Sequence, residues 1–153
     1  MKKLLVAVAL SVLLAACGGD TGRDSIVSRN NSAFGTGTFP VANDGQAALY
    51  IVRDAAATHP DAPPIGITMG SQPIGSITGP TYMRLDLAPK LYDLRAYGVQ
   101  SNSELIITVA PGQTRFLLAQ PTPSGGAELL ELSQEQGRRL ARNKERLWTP
   151  EID

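Results

Sequence analysis

The chain is poor in the residues that carry most metal, thiol and imidazole chemistry. It holds one cysteine and one histidine among 153 residues, and aromatic residues make up 5% of it. Its 14 basic residues balance 14 acidic ones, which argues against a nucleic-acid binder that relies on overall charge. Only 18% of the residues are charged and 42% are hydrophobic, so the chain is neither an acidic disordered tail nor a coiled coil.

Glycine and proline are abundant, with 15 and 11 copies. A chain of this length has room for one ordinary domain. The composition favours short strands that are joined by tight turns.

One apolar run lies near the beginning of the chain, from Leu4 to Ala16, and two lysines precede it. It has the length of a signal-peptide core and is too short to span a bilayer as a helix. Small residues then lead to the sole cysteine, in the order Leu14-Ala15-Ala16-Cys17. This stretch resembles a bacterial lipobox, in which signal peptidase II cuts between Ala16 and Cys17 and the cysteine receives acyl chains. The alternatives are an ordinary secretory signal and a short anchor helix.

The lipobox predicts where the protein resides. Residues 1–16 would be removed, and several acyl chains on Cys17 would hold the mature protein on a membrane without a transmembrane helix. Gly18 follows the cysteine, whereas inner-membrane retention in enteric bacteria typically uses aspartate there. By that resemblance we expect the outer membrane, with the domain facing the periplasm. No thiol is left for a disulfide, so the domain must rely on a conventional core.

The mature chain divides into three parts. Residues 17–46 are rich in Gly, Ser, Thr, Asn and Asp, which predicts a flexible tether with a reach of roughly 30 Å. Phe34, Phe39 and Val41 are apolar exceptions that would attach the end of the tether to the domain. Residues 47–132 carry strand patterns about every ten residues, typical of an antiparallel sandwich or small barrel. The predicted strands cover 47–53, 65–69, 73–77, 81–87, 92–97, 104–110, 114–120 and 127–132.

Two details of the strand region can be predicted further. Gly70-Ser71-Gln72 indicates a hairpin turn, and Ala110-Pro111-Gly112-Gln113 has Pro and Gly at the central positions of a type II turn. The strand at 81–87 alternates, which predicts a solvated face with Tyr82, Arg84 and Asp86. Pairing it with the strand at 92–97 so that Asp86 lies opposite Arg95 avoids like-charge contacts.

The last part, residues 133–153, predicts a C-terminal helix and tail. Ser133 and Gln136 have capping-box spacing, so a helix should run from Gln134 to about Glu145, weakened by Gly137, and Pro150 would end it. Helical spacing relates the basic residues Arg138, Arg139, Arg142 and Arg146. We expect a solvated helix that covers the sandwich with Leu140. The alternative is that this stripe contacts anionic headgroups or docks on an envelope protein.

The order of these pieces resembles a family of small bacterial lipoproteins, the domain of unknown function 2846. The matching stretches are AALYIVR at 47–53, GSQPIGSI at 70–77, TYMRLDL at 81–87, APGQTRFLL at 110–118 and LSQEQGRRL at 132–140. The resemblance implies a mainly β fold, an antiparallel immunoglobulin- or transthyretin-like sandwich with one C-terminal helix. It implies no particular activity.

Residues that carry catalysis are sparse. His59 has only Asp61 beside it, and a metal or catalytic site needs more partners. No nucleophile elbow and no Ser-x-x-Lys pair occurs, and solvated strand positions account for the carboxylates Asp86, Asp93 and Glu104. We therefore expect a non-enzymatic binding or structural module, with no cofactor, metal or nucleic acid. The alternative is a small envelope hydrolase whose site is built from loop-borne Asp, Glu or Ser.

Overall fold

Strands dominate the part of the chain that the computed structural model describes, which is residues 39–40, 42–54, 62–142, 144–147, 149–150 and 152. Ala16, Cys17, Phe34, Val41, His59 and Asp61 lie outside these residues. Among the residues described, no helix has both the length and the apolar character needed to cross a membrane.

Nine strands and one helix follow one another along the described residues. Each predicted strand is present, with its ends shifted by at most two residues. The elements are β1 (Ala47–Val52), β2 (Ile65–Met69), β3 (Gln72–Ile77), β4 (Thr81–Leu87), β5 (Leu91–Tyr97), β6 (Asn102–Thr108), β7 (Thr114–Pro121), β8 (Ala127–Leu132), α1 (Gln134–Ala141) and β9 (Glu145–Arg146).

The strands form two sheets, one of five strands in the order β8-β7-β1-β4-β9 and one of four in the order β3-β2-β5-β6. The sheets face each other, with β8 against β5 and β6 and β4 against β3. Neighbouring strands are antiparallel except for two parallel pairs, β1 with β7 and β4 with β9. The mainly β fold with a C-terminal helix is therefore confirmed, and the parallel pairs are an addition to it.

The two turns that the sequence predicts are also confirmed. Gly70 and Ser71 join β2 to β3 in an antiparallel hairpin. Gly112 has a φ of +71°, and the amide of Gln113 donates to the carbonyl oxygen of Ala110 at 3.1 Å. A positive φ at the third position defines a type II turn, and glycine adopts it without steric cost.

Strand β1 is buried on both faces, and this gives the domain two apolar clusters. Leu49 and Ile51 face the core between the sheets. The alternate residues of β1 point the other way and join residues of β4, β7 and α1 in a second cluster, which consists of Ala48, Tyr50, Val52, Tyr82, Phe116 and Ala141. The five-stranded sheet therefore needs a covering layer on its outer face, and α1 supplies much of it.

The predicted pairing of β4 with β5 is wrong. β4 pairs with β1, which places Arg84 opposite Tyr50, whereas β5 pairs with β2 and β6. The chain crosses from one sheet to the other between β4 and β5, so Asp86 does not lie opposite Arg95. Arg95 lies opposite Glu104 instead. Charge complementarity is weak beside the burial of apolar faces, which decides the sheet to which each strand belongs.

The expectation that this face of β4 is solvated is also wrong, since the side chain of Arg84 is only 5% exposed and Tyr82 is fully buried. The C-terminal segment passes along this part of β4, and the hydroxyl of Thr149 donates to the carbonyl oxygen of Arg84 at 2.8 Å. Alternation shows which side chains share a face of a strand. It does not show whether another layer covers that face.

The capping box of α1 is present as predicted. Ser133 Oγ accepts from the amide of Gln136 at 3.3 Å, and Gln136 Oε1 accepts from the amide of Ser133 at 3.1 Å. These two bonds satisfy amides that have no partner within the helix.

The helix is shorter than predicted, because it ends at Ala141 and Arg142 is extended, with a ψ of 133°. Glu145 and Arg146 pair with the edge of β4, and the amide of Leu147 donates to the carbonyl oxygen of Tyr82 at 2.8 Å. An uncovered edge leaves backbone groups without partners. Pairing along β4 therefore ends the helix well before Pro150.

Gly137 has a packing reason to be in the middle of α1. It is buried, and a Cβ at this position would overlap the ring and the Cβ of Phe116. Glycine thus lets the helix lie directly on the second cluster, at a cost in helix propensity of about 1 kcal/mol.

We predict that Gly137→Ala destabilises the domain although alanine favours helix. Overpacking costs about 1–3 kcal/mol, so a net loss of up to about 2 kcal/mol in the free energy of unfolding should remain after the propensity gain of about 1 kcal/mol. Urea denaturation measures it, with the exposed Glu135→Ala as a control that should change stability by less than about 0.5 kcal/mol. A more stable Gly137→Ala variant would show that the helix does not rest on Phe116.

Candidate functional site

Three of the four predicted arginines share one exposed surface on the C-terminal half of α1. Arg138, Arg139 and Arg142 line an open depression of about 480 Å³ together with Gln134 and Glu135. All five residues are exposed. We call these five residues the basic helix surface.

The arginines of the basic helix surface have no ion-pair partner among the described residues. Four other cations each face a carboxylate: Arg84, Arg95, Arg115 and Lys144. The basic helix surface therefore has positive charge that the described part of the domain does not neutralise. Such charge attracts anions, and salt screens it over about 10 Å.

Arg146 does not belong to this surface, so the prediction that all four arginines form one helical stripe is wrong. Arg146 lies on β9, is half-buried, and lines a separate cavity with Arg84 and Asp86. The helix ends before it because the chain pairs with β4. Helical spacing therefore does not predict which face Arg146 shares with the arginines before the end of α1.

Aromatic rings lie beneath α1. The rings of Tyr50 and Phe116 stack with their centroids 4.9 Å apart, and Tyr82 lies 6.0 Å from Tyr50. Phe39 meets Tyr50 and Phe116 edge-on at 5.5 and 5.6 Å, which is a favourable geometry for aromatic pairs. Tyr50 Oη donates to the carbonyl oxygen of Pro40 at 3.4 Å.

These contacts attach the end of the predicted tether to the domain, as the sequence predicts for Phe39. The same ring, Phe116, contacts both Phe39 and the helix at Gly137. Phe39 and α1 therefore pack side by side on the outer face of the five-stranded sheet.

Burial shifts the pKa values of the two tyrosines in this aromatic cluster. It raises the pKa values of Tyr50 and Tyr82 above the ordinary value of tyrosine, because an ionised phenolate loses its hydration there. The positive charges of Arg84 and Arg146 oppose this rise at both tyrosines. Both hydroxyls therefore stay neutral well beyond physiological pH.

The carboxylates that the sequence offers for chemistry are each held by an arginine. Asp86 Oδ1 lies 2.7 Å from Arg84 Nη2, and Asp93 Oδ2 lies 2.9 Å from Arg95 Nη2. Glu104 Oε2 lies 3.5 Å from the same Arg95 nitrogen. Within the described ranges, no group of three or more His, Cys, Asp or Glu is placed to hold a metal ion.

Two buried arginines escape prediction from the sequence. Arg53 is fully buried, its Nη1 donates to the carbonyl oxygen of Ile77 at 2.8 Å, and burial lowers its pKa. Arg84 is covered by the C-terminal segment, as described above. The only sequence signal for Arg53 is its position directly after an apolar strand, and nothing local marks Arg84 as covered.

Comparison with known proteins identifies no family for the chain. A scan against protein-family models and a search of curated proteins both find no match. The resemblance to the domain of unknown function 2846 therefore stays a prediction.

We predict that the domain loses stability above about pH 10 through Tyr50 and Tyr82. Below that pH both the folded and the unfolded chain keep these protons. Above it the unfolded chain releases them and the folded chain does not, so the free energy of unfolding falls by up to about 1.4 kcal/mol per pH unit for each tyrosine. Urea denaturation across alkaline pH measures the slope.

Tyr50→Phe and Tyr82→Phe should each reduce that slope. If the double variant Tyr50→Phe/Tyr82→Phe keeps the slope of the unmodified chain, Tyr50 and Tyr82 are not its source.

Proposed function

We propose that this protein is a lipid-anchored lipoprotein of the bacterial cell envelope that acts as a non-enzymatic binding or structural module. In this proposal Cys17 carries the lipid at the outer membrane, and the sandwich faces the periplasm. The order of basic residues, apolar core, small residues and cysteine supports the anchor. The exposed arginines of the basic helix surface support the further proposal that the anchored domain turns this surface toward the membrane.

The observation that carries this proposal is that Phe39, at the end of the predicted tether, and α1 pack on the same outer face of the five-stranded sheet. Both contact Phe116, and the exposed arginines of the basic helix surface have no ion-pair partner among the described residues. The flexible tether that the composition predicts between Cys17 and Phe39 would have a reach of about 25 Å. The anchor thus keeps this face within a short distance of the headgroups.

Anionic headgroups are the partner that this geometry favours. A basic residue near an anionic membrane surface contributes about 1 kcal/mol of attraction, so Arg138, Arg139 and Arg142 together supply about 3 kcal/mol. That energy gives only weak binding without the lipid anchor, and it is large enough to orient a domain that is already anchored. The hydrolase alternative gains no support from Asp86, Asp93 and Glu104, since arginines hold all three.

The anchor is tested by Cys17→Ser. The cysteine thiol is the group that would receive the lipid, so this variant should leave the membrane fraction or remain unprocessed. Cell fractionation shows whether the variant has left the membrane fraction, and the mass of the chain shows whether residues 1–16 have been removed. A Cys17→Ser protein that matures normally and still needs detergent for extraction would contradict the lipoprotein proposal.

The orientation is tested with a chain that begins at Gly18, which keeps every residue of both apolar clusters. We expect it to bind vesicles that contain anionic lipid at low salt, more weakly at physiological salt, and not at all without anionic lipid. Arg138→Gln/Arg139→Gln should weaken binding about ten-fold or more, from about 1 kcal/mol per charge. Cosedimentation measures the bound fraction.

The matched control removes the same charge elsewhere. Lys90→Gln/Arg95→Gln changes two exposed or half-exposed cations at β5, in the other sheet. Equal weakening by both pairs would show that net charge rather than the basic helix surface binds the membrane. The chain could instead fail to bind anionic vesicles and bind an acidic envelope protein through Arg138 and Arg139. That result would show that the partner of this surface is a protein and not a lipid.

A further inference from the structure

A second polar cavity, of about 240 Å³, lies between β4 and the C-terminal segment. It is distinct from the basic helix surface. Its polar wall consists of Asn43, Gln46, Arg84, Asp86, Arg146 and Thr149. These residues come from the turn before β1, from β4, from β9 and from the segment that follows β9.

The cavity exists because the C-terminal segment leaves the edge of β4. Among the described residues, the last backbone bond between them runs from the amide of Leu147 to the carbonyl oxygen of Tyr82, at 2.8 Å. Two residues later the contact with β4 is made by a side chain, because the hydroxyl of Thr149 donates to the carbonyl oxygen of Arg84 at 2.8 Å. A side-chain contact holds two backbones farther apart than a strand ladder does, and the gap forms the cavity.

The charges in the cavity do not balance. Arg84 Nη2 donates to Asp86 Oδ1 at 2.7 Å, and the Arg84 guanidinium lies 5.9 Å from the centroid of Tyr50. Arg146 is half-buried and forms no ion pair with any described residue. The described residues of the wall therefore contribute two guanidinium groups and one carboxylate, an excess of one positive charge among them.

The neutral residues of the wall add hydrogen-bond donors. Asn43 Nδ2 donates to Gln46 Oε1 at 3.2 Å, and the amide of Gln46 donates to the carbonyl oxygen of Asn43 at 2.9 Å. These two bonds fix the turn and leave the side-chain amide nitrogen of Gln46 as a donor. Guanidinium and amide donors around one gap are the groups that recognise carboxylate and phosphate oxygens.

We propose that this cavity binds a small organic anion through a carboxylate or phosphate group, with Arg146 as the principal contact. The Arg84–Asp86 pair forms a fixed, nearly neutral part of the wall, and Gln46 donates to a second oxygen. The volume lies below the usual range of about 300–1,000 Å³ for drug-sized ligands, so the ligand has only a few carbon atoms. This binding is independent of the membrane contact proposed above.

The test uses the full chain in a neutral detergent, with succinate and inorganic phosphate as probes, titrated by calorimetry at constant ionic strength. We expect saturable binding of at least one probe, and the comparison shows which group the cavity prefers. Arg146→Gln should weaken it about ten-fold or more, the usual effect of removing a charged hydrogen bond. Arg146→Lys, which keeps the charge and loses the planar fork, should recover only part of the affinity.

Arg139→Gln is the matched control, because it removes the same charge from the basic helix surface and should change the affinity by less than about two-fold. If Arg146→Gln does not fold, Gln46→Ala removes a donor without altering β9 and should weaken binding about three-fold or more. Absence of saturable binding by both probes would overturn the proposal. Equal losses in Arg146→Gln and Arg139→Gln would also overturn it, since the effect would then be one of net charge.

Discussion

The outer face of the five-stranded sheet is apolar, and most other features of the domain depend on covering it. Tyr50, Tyr82 and Phe116 point away from the core between the sheets and are nonetheless fully or almost fully buried. A large aromatic side chain buries about 150–250 Å², so leaving three of them in water would cost on the order of 10 kcal/mol at about 25 cal/mol per Å². That is comparable to the total stability of a small domain.

The elements that cover this face also create the surface on which the proposed membrane contact depends. Helix α1 lies on Phe116 through Gly137, and its exposed side carries three arginines without ion-pair partners in the described chain. Phe39 covers the same ring from the side of the predicted tether. One packing requirement therefore brings Phe39 and α1 together on the outer face of the five-stranded sheet.

The edge of β4 imposes a second requirement, and it competes with helix formation. The residues after Ala141 have helical spacing of charge, but Glu145 and Arg146 satisfy the backbone groups of β4 when they are extended. Leu147 then packs against the main core. Because the segment leaves β4 beyond Leu147, it also forms the polar cavity around Arg146.

The sequence by itself determined the strands, the turns at Gly70 and Gly112 and the start of α1, because each depends on residues a few positions apart. It also identified Arg138, Arg139 and Arg142 as a group, since two of them lie on one short helix and the third directly follows its last residue. Only the tertiary structure decided that β4 pairs with β1, that Arg84 is buried, and that Arg146 lies in a cavity rather than on the helix. These outcomes depend on which apolar faces and free strand edges meet across the fold, and local patterns of alternation and charge carry no information about such distant partners.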